Sequence, residues 1–227
     1  MVAELLDRPI WTALTSRQAQ FAIGAGFALR YRPTVEPFIS AADDSEASIA
    51  ALGALIGKDE DLYLLQRTAS PVPPGIEEVS RSLGVQMLAE TAARIDVPAN
   101  VTALGDAEAP EMMALAELCR PGPFRSETHR LGTFWGIRES GRLVAMAGER
   151  MKVPGMTEVS GVATHPDARG RGYARLLSRL VMAKIVERGE RPFLHAYADN
   201  AAAIGLYEEL GFSIRTEMQV QVFRRAD

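Results

Sequence analysis

The chain has 227 residues, 47% hydrophobic and 24% charged, which is enough to bury a core without disulfide or metal staples. Twenty-five Lys and Arg against 29 Asp and Glu give a net charge of −4, which argues against a nucleic-acid partner. The single cysteine, Cys119, excludes an intramolecular disulfide and a thiolate zinc site, and no apolar run approaches the roughly 20 residues of a membrane span. The first residues, MVAELLDRPIW, carry Glu4, Asp7 and Arg8 in place of a basic-then-apolar secretory pattern, so a cytoplasmic protein without a membrane partner is expected.

Thr15 and Gln18 have capping-box spacing and predict a helix running to about Leu29. Asp44 or Ser45 caps a second helix, with Ile49, Leu52 and Ile56 on one stripe. Residues 61–67 (DLYLLQR) read as a strand, and residues 70–75 (SPVPPG) as a loop. Val79, Leu83, Val85 and Met87 share one parity, which suggests a strand over 79–88; Val79, Leu83 and Met87 are also four apart, so a helix fits nearly as well. Residues 95–100 (IDVPAN) read as a linker. They divide the chain into a smaller α/β segment, 1–98, with no chemical motif, and a second domain, 99–227.

The second domain starts with a short strand, 101–104. Asp106 then caps a helix with Met112, Leu115, Ala116 and Cys119 on its stripe, ended by Pro121 and Pro123. Strands at 133–138 and 142–152 turn at Glu139, Ser140 and Gly141 into an antiparallel hairpin, and a third strand covers 157–164. A helix over 172–188 is stopped by Gly189. A strand covers 192–197, and Asn200 caps a helix with Ala203, Leu206, Tyr207 and Leu210 on one face. The last strand region, 212–223, is broken near Arg215.

The chemistry concentrates where the third of these strands meets its helix, at Arg169-Gly170-Arg171-Gly172-Tyr173-Ala174. A glycine-rich turn feeding a helix N-terminus gathers unpaired N–H groups and positive dipole, and Arg169, Arg171 and Arg175 add charge; such a turn suits a phosphate or pyrophosphate. A P-loop would need Lys and Ser or Thr where Tyr173 and Ala174 stand. A dinucleotide fingerprint would need a third glycine at Arg175 and a parallel setting. Arg169, Gly172 and Ala174 instead match Q/R-x-x-G-x-G/A.

With that loop, TEVSGVATHP before it, FLHAYADN after it and NAAAIGLYEELGF at 200–212, residues 101–227 resemble the GCN5-related N-acetyltransferase (GNAT) superfamily, closest to its FR47-like branch. The resemblance implies an α/β fold with a mixed, mostly antiparallel sheet. It implies acetyl-CoA as co-substrate, no metal, and acetyl transfer to a primary amine in a ternary complex. By the same resemblance, the pyrophosphate rests on the amides of Arg169, Gly170, Arg171, Gly172, Tyr173, Ala174 and Arg175. The pantetheine arm pairs with the strand edge at Val162, Ala163 and Thr164, and Asn200 touches that arm. Tyr207 protonates the departing thiolate, and Glu158 stands where several members carry the base. His195 and Tyr197 either line the acceptor site or pack. The same motifs permit an acyl-CoA-binding module without turnover. They leave open the amine acceptor, the oligomeric state and the role of residues 1–98.

Overall fold

The computed structural model describes residues 4–226. Helix α1 (Pro9–Leu14) begins with proline, whose missing N–H costs nothing in a first helical turn. The helix expected to follow Thr15 and run to about Leu29 is absent, and a hairpin of β1 (Ala22–Ala25) and β2 (Ala28–Tyr31) stands there. The glycines decide the matter. Gly24 (φ 107°) and Gly26 (φ 67°) occupy left-handed backbone, and a Cβ at Gly24 would stand 2.7 Å from the Ala28 carbonyl oxygen. β3 (Ile39–Ala41) completes a three-stranded sheet. Helix α2 (Glu46–Ala54) is capped by Ser45, whose hydroxyl accepts from the Ser48 N–H at 3.3 Å, in agreement with the sequence signal.

The remaining strands form one eight-stranded sheet. They are β4 (Leu62–Gln66), β5 (Ile76–Leu88), β6 (Val101–Leu104), β7 (Phe134–Glu139), β8 (Arg142–Val153), β9 (Met156–Thr164), β10 (Arg191–Tyr197) and β11 (Ser213–Arg225), in the order β4-β11-β5-β10-β9-β8-β7-β6. Every pair is antiparallel except β9 with β10. The strand reading of 79–88 therefore prevails over the helical one. β5 lies between β10 and β11, so the boundary expected at residue 98 does not divide the sheet.

Both faces of the sheet are covered. Along β8, Ala145 and Ala147 face Leu177, Leu180 and Ile185 of α4 (Tyr173–Glu187). Met146, between them, packs with Met112, Leu115 and Ala116 of α3 (Ala109–Cys119) on the opposite side. Gly105 rather than Asp106 precedes the turn that leads into α3: Glu108 Oε2 accepts the Gly105 N–H at 2.8 Å, while the Asp106 carboxylate meets His129 and Arg130. Helix α5 (Ala201–Glu209) follows β10. The break expected near Arg215 is a register shift in β11 between Ile214 and Thr216. No helix among the described residues is long and apolar enough to cross a membrane.

Candidate active site

β9 and β10 pair only at Met156–Arg191, Thr157–Pro192 and Glu158–Phe193. Beyond Phe193, β10 follows β5 through His195–Gln86 to Tyr197–Gly84, while β9 stays on β8. The sheet opens there. Bulges in the neighbouring β8–β9 pair shape the opening. Gly148 opposes Ser160 but Met146 opposes Ala163, so β9 carries an extra residue beside Gly161 (φ 61°). A side chain at Gly161 would meet the Phe134 ring at 2.7 Å, so glycine is required by space as well as by backbone. A second register shift, between Glu149 and Lys152, falls at Arg150 and Met151.

The opening continues into a cleft lined by Val159, Ser160, Gly161 and Val162 of β9, by Asn200, Ala203 and Tyr207 beyond β10, and by Arg150 and His195. Phe38, Tyr63, Leu65 and Gly84 line it from the first part of the chain, and Val220 from the last strand. Tyr207 is buried edge-to-face on Phe212, with ring centroids 6.0 Å apart. Burial first, and then the charge of Glu158, push its phenol up to about 12, so it keeps its proton at neutral pH.

Glu158 is fully buried, and four donors fill its two oxygens. Arg150 Nη2 (2.8 Å) and His195 Nδ1 (2.7 Å) meet Oε1; Arg150 Nε (2.9 Å) and the Met151 N–H (3.1 Å) meet Oε2. Burial raises its proton affinity, but the charge and bonds of Arg150, with those of His195, outweigh it and hold Glu158 far below the usual carboxylate range. A carboxylate so held is a poor direct acceptor of a proton, and its charge reaches the cleft through His195. Behind Arg150, which stacks on Phe38 at 4.9 Å, lies a second buried carboxyl, Glu36. Thr128 lies beside it but gives its hydroxyl proton to the Val35 carbonyl (2.7 Å), and neither oxygen of Glu36 has a hydrogen-bond partner among the described residues. Burial raises Glu36 to about 8; Arg150 only partly opposes this, and Glu158 adds to it.

The glycine turn lies past the end of β9, at the start of α4. Gly170 (φ 76°) and Gly172 (φ 77°) are left-handed, and no atom stands within 4 Å of where their side chains would be, so the backbone of Arg169–Ala174 is open to a ligand's close approach. The loop cations are engaged. Arg171 meets Glu139 at 2.6 and 2.7 Å, Tyr173 donates its hydroxyl to Glu139 at 2.6 Å, and Arg175 pairs with Glu209. These arginines are half-exposed, so the pairs are weak and an anion can displace them. Asn200 caps α5, its Oδ1 accepting from the Ala203 N–H at 3.1 Å, and it also lines the cleft. Of the expected strand-edge residues, Val162 lines the cleft, Ala163 is packed under α3, and the Thr164 carbonyl accepts from Cys119 Sγ at 3.3 Å.

Phe38, Tyr63, Leu65 and Arg150 belong to the cleft without any signal in the sequence, because only the folded sheet brings them there. A larger depression of about 720 Å³ lies elsewhere, around Arg30, Glu60, Asp61 and Arg224. Within it Arg30 pairs with Glu60 and Arg224 with Asp61, and it contains neither the glycine turn nor the sheet opening.

Residues 134–220 match the family described as FR47-like protein. A solved structure from Novosphingobium aromaticivorans, assigned to the acetyltransferases of the GNAT family, is 40% identical, covers 98% of this chain and 99% of its own, and superposes with a TM-score of 0.92. A GCN5-related N-acetyltransferase from Kribbella flavida shares the fold at 22% identity (TM-score 0.62), over 100% of this chain and 96% of its own. The mycothiol acetyltransferase of Mycobacteroides abscessus is 40% identical over 62 residues, which is 27% of this chain and 21% of that protein.

Proposed function

The chain belongs to the GNAT family of acetyltransferases, and from that premise we propose that it moves an acetyl group from acetyl-CoA to a primary amine, with both substrates bound together in the cleft. The observation that carries this reading is the opening between β9 and β10, with the phenol of Tyr207 and the imidazole of His195 lining the same space. Acetyl-CoA supplies an acetyl thioester. The amides of Arg169, Gly170, Arg171, Gly172, Tyr173, Ala174 and Arg175 hold its diphosphate, an arrangement supported by the open left-handed glycines at the helix N-terminus. The edge of β9 around Val162, Ala163 and Thr164 takes the pantetheine arm as an added strand, and Asn200 touches it.

An alkyl ammonium must lose a proton before it can attack, because its pKa is roughly 10. His195 accepts that proton, and Glu158 stabilises the resulting imidazolium from Nδ1; Glu158 therefore acts through His195 rather than on the amine. Backbone N–H groups beside Gly161, released from the ladder by the bulge, stabilise the charge that develops on the carbonyl oxygen. Tyr207 donates toward the departing sulfur. Holding both reactants together supplies much of the rate.

Release of CoA thiol, followed across a panel of amines, tests the reading. Thiol release that depends on the amine is the expected result. Binding of acetyl-CoA with no transfer to any amine would leave an acyl-CoA-binding module.

A further inference from the structure

His195 is held at both ring nitrogens. Glu158 Oε1 lies 2.7 Å from Nδ1, and Gln86 Nε2 lies 2.9 Å from Nε2. The Gln86 carboxamide cannot turn over. Its Oε1 accepts from Arg215 Nη1 at 2.6 Å, and its Nε2 also donates to the Leu6 carbonyl at 2.9 Å. A flipped amide would set its NH₂ against a guanidinium and its oxygen against a carbonyl. The group facing His195 is therefore a donor, and it needs a bare Nε2 with its lone pair. The ring proton must then sit on Nδ1, where Glu158 accepts it. Gln86 is fully buried, and Arg215 is fixed from its other side by Asp7.

We propose that Gln86, locked by Arg215 and the Leu6 carbonyl, is a positioning residue that fixes His195 as the neutral Nδ1–H tautomer, its N–H holding the Nε2 lone pair until the incoming amine displaces it and delivers its proton there. The inference rests on the reading of His195 as that acceptor. An imidazolium would set its Nε2–H against the N–H of Gln86. The other charged and titratable groups facing this assembly are Arg150 on Glu158, Tyr207 across the cleft, Glu36 and Tyr31 behind Arg150, and Arg215 and Asp7 behind Gln86. When the proton moves, an N–H bond of the amine breaks, an Nε2–H bond forms, and the freed electron pair on nitrogen attacks the thioester. Gln86 yields one hydrogen bond and keeps those to Leu6 and Arg215. Two anchors of the lock, the Leu6 carbonyl and the Asp7 carboxylate, come from the start of the described chain, which gives that segment a part in catalysis.

Long-range ¹H–¹⁵N NMR on histidine-labelled protein reads the tautomer directly, and with three histidines in the chain each signal is assigned by substitution. The expected spectrum at neutral pH has His195 protonated at Nδ1 and bare at Nε2. An Nε2–H tautomer or a doubly protonated ring in the wild type overturns the proposal without reference to any variant. Gln86→Glu replaces the donor with an acceptor. It is expected to protonate both ring nitrogens and to slow amine acetylation at neutral pH by about 10²-fold, with acetyl-CoA affinity by calorimetry unchanged. Gln86→Leu removes the donor and is expected to move the acid limb of the pH–rate profile to higher pH; an unmoved limb overturns the proposal. The bare Nε2 with no transfer to any amine would sink the acetyltransferase reading and leave the lock standing. Transfer with the other tautomer would do the reverse.

Discussion

On the proposed reading, the donor wall of the cleft comes from one stretch of chain, residues 159–212, in which a bulge, a glycine turn, a helix cap and one phenol follow in sequence. The acceptor wall gathers Phe38, Tyr63, Leu65, Gln86, Arg150, His195 and Val220 from nearly the whole length of the protein. The donor wall works with backbone groups and half-exposed ion pairs, whereas the acceptor wall rests on ionisable groups taken out of water: the charged pair Arg150 and Glu158, and Glu36 held as the neutral acid without a hydrogen-bond partner among the described residues. The contrast teaches that a fixed ligand can be met by a local motif, while the other half of the site depends on long-range assembly and on charge balance. Substitutions on the acceptor wall should therefore disturb folding as well as activity, and those on the donor wall mainly activity.

The largest expected effect is at Glu158. Glu158→Gln leaves the Arg150 guanidinium buried without a counter-charge and should cost about 3–5 kcal/mol at neutral pH, read from urea unfolding. Because the folded protein depresses this carboxyl, its stabilisation is present above the unfolded value of roughly 4.3 and is lost as pH falls, so the gap between wild type and variant should close in acid. Glu36 has the opposite sign. Its folded value of about 8 lies above the unfolded one, so the fold prefers the neutral acid, and stability declines as pH rises from the unfolded value through about 8. At about 1.4 kcal/mol per pH unit, the integrated loss is on the order of 5 kcal/mol. Glu36→Gln should remove that slope: urea midpoints measured from pH 5 to 9 should diverge in favour of the variant. Parallel curves would mean that Glu36 is ionised in the fold, and the acceptor wall would then hold one more charge than argued here.

The same contrast explains what could be read from the sequence. Turn chemistry announces itself within a few residues: Gly170 and Gly172, the Asn200 cap, the Ser140–Gly141 hairpin turn and even the interruption at Arg215 were legible. Where glycine's left-handed freedom competed with apolar spacing, spacing misled. Residues 18–29 carry enough apolar side chains for a helix, but Gly24 and Gly26 turn the chain back on itself. Glu158 stood out as a carboxylate at the mouth of a strand. Its burial by Arg150 eight residues earlier depends on a β8 register shift that leaves no mark in residue types. Gln86 and Tyr63 reach the site only because β5 and β4 join a sheet whose other members follow much later in the chain.

On the donor wall, Tyr207→Phe removes one hydroxyl from a ring that stays packed on Phe212. The expected result is a kcat lower by about 10²-fold, with acetyl-CoA affinity and unfolding midpoint unchanged. A kcat within error of wild type would remove Tyr207 from the reaction and leave it as core. A lower unfolding midpoint would mean that the donor wall, too, depends on buried polar groups, and the contrast between the walls would weaken.

The smallest effect separates the two roles of Asn200. Its side chain both accepts the Ala203 N–H and lines the cleft. Asn200→Ala loses the cap and should cost about 1 kcal/mol of stability. Asn200→Asp restores an acceptor of the same length at the helix N-terminus, where negative charge is also favoured by the dipole, so stability should return. The amide N–H₂ is absent from both variants. If Asn200 touches the acyl-CoA arm through that group, calorimetry will find acetyl-CoA affinity reduced in both, including the variant that folds as well as wild type. If affinity follows stability instead, falling for Ala and recovering for Asp, then Asn200 serves the donor only by ending β10 and starting α5 in the right place. The donor wall would then be a matter of backbone geometry alone.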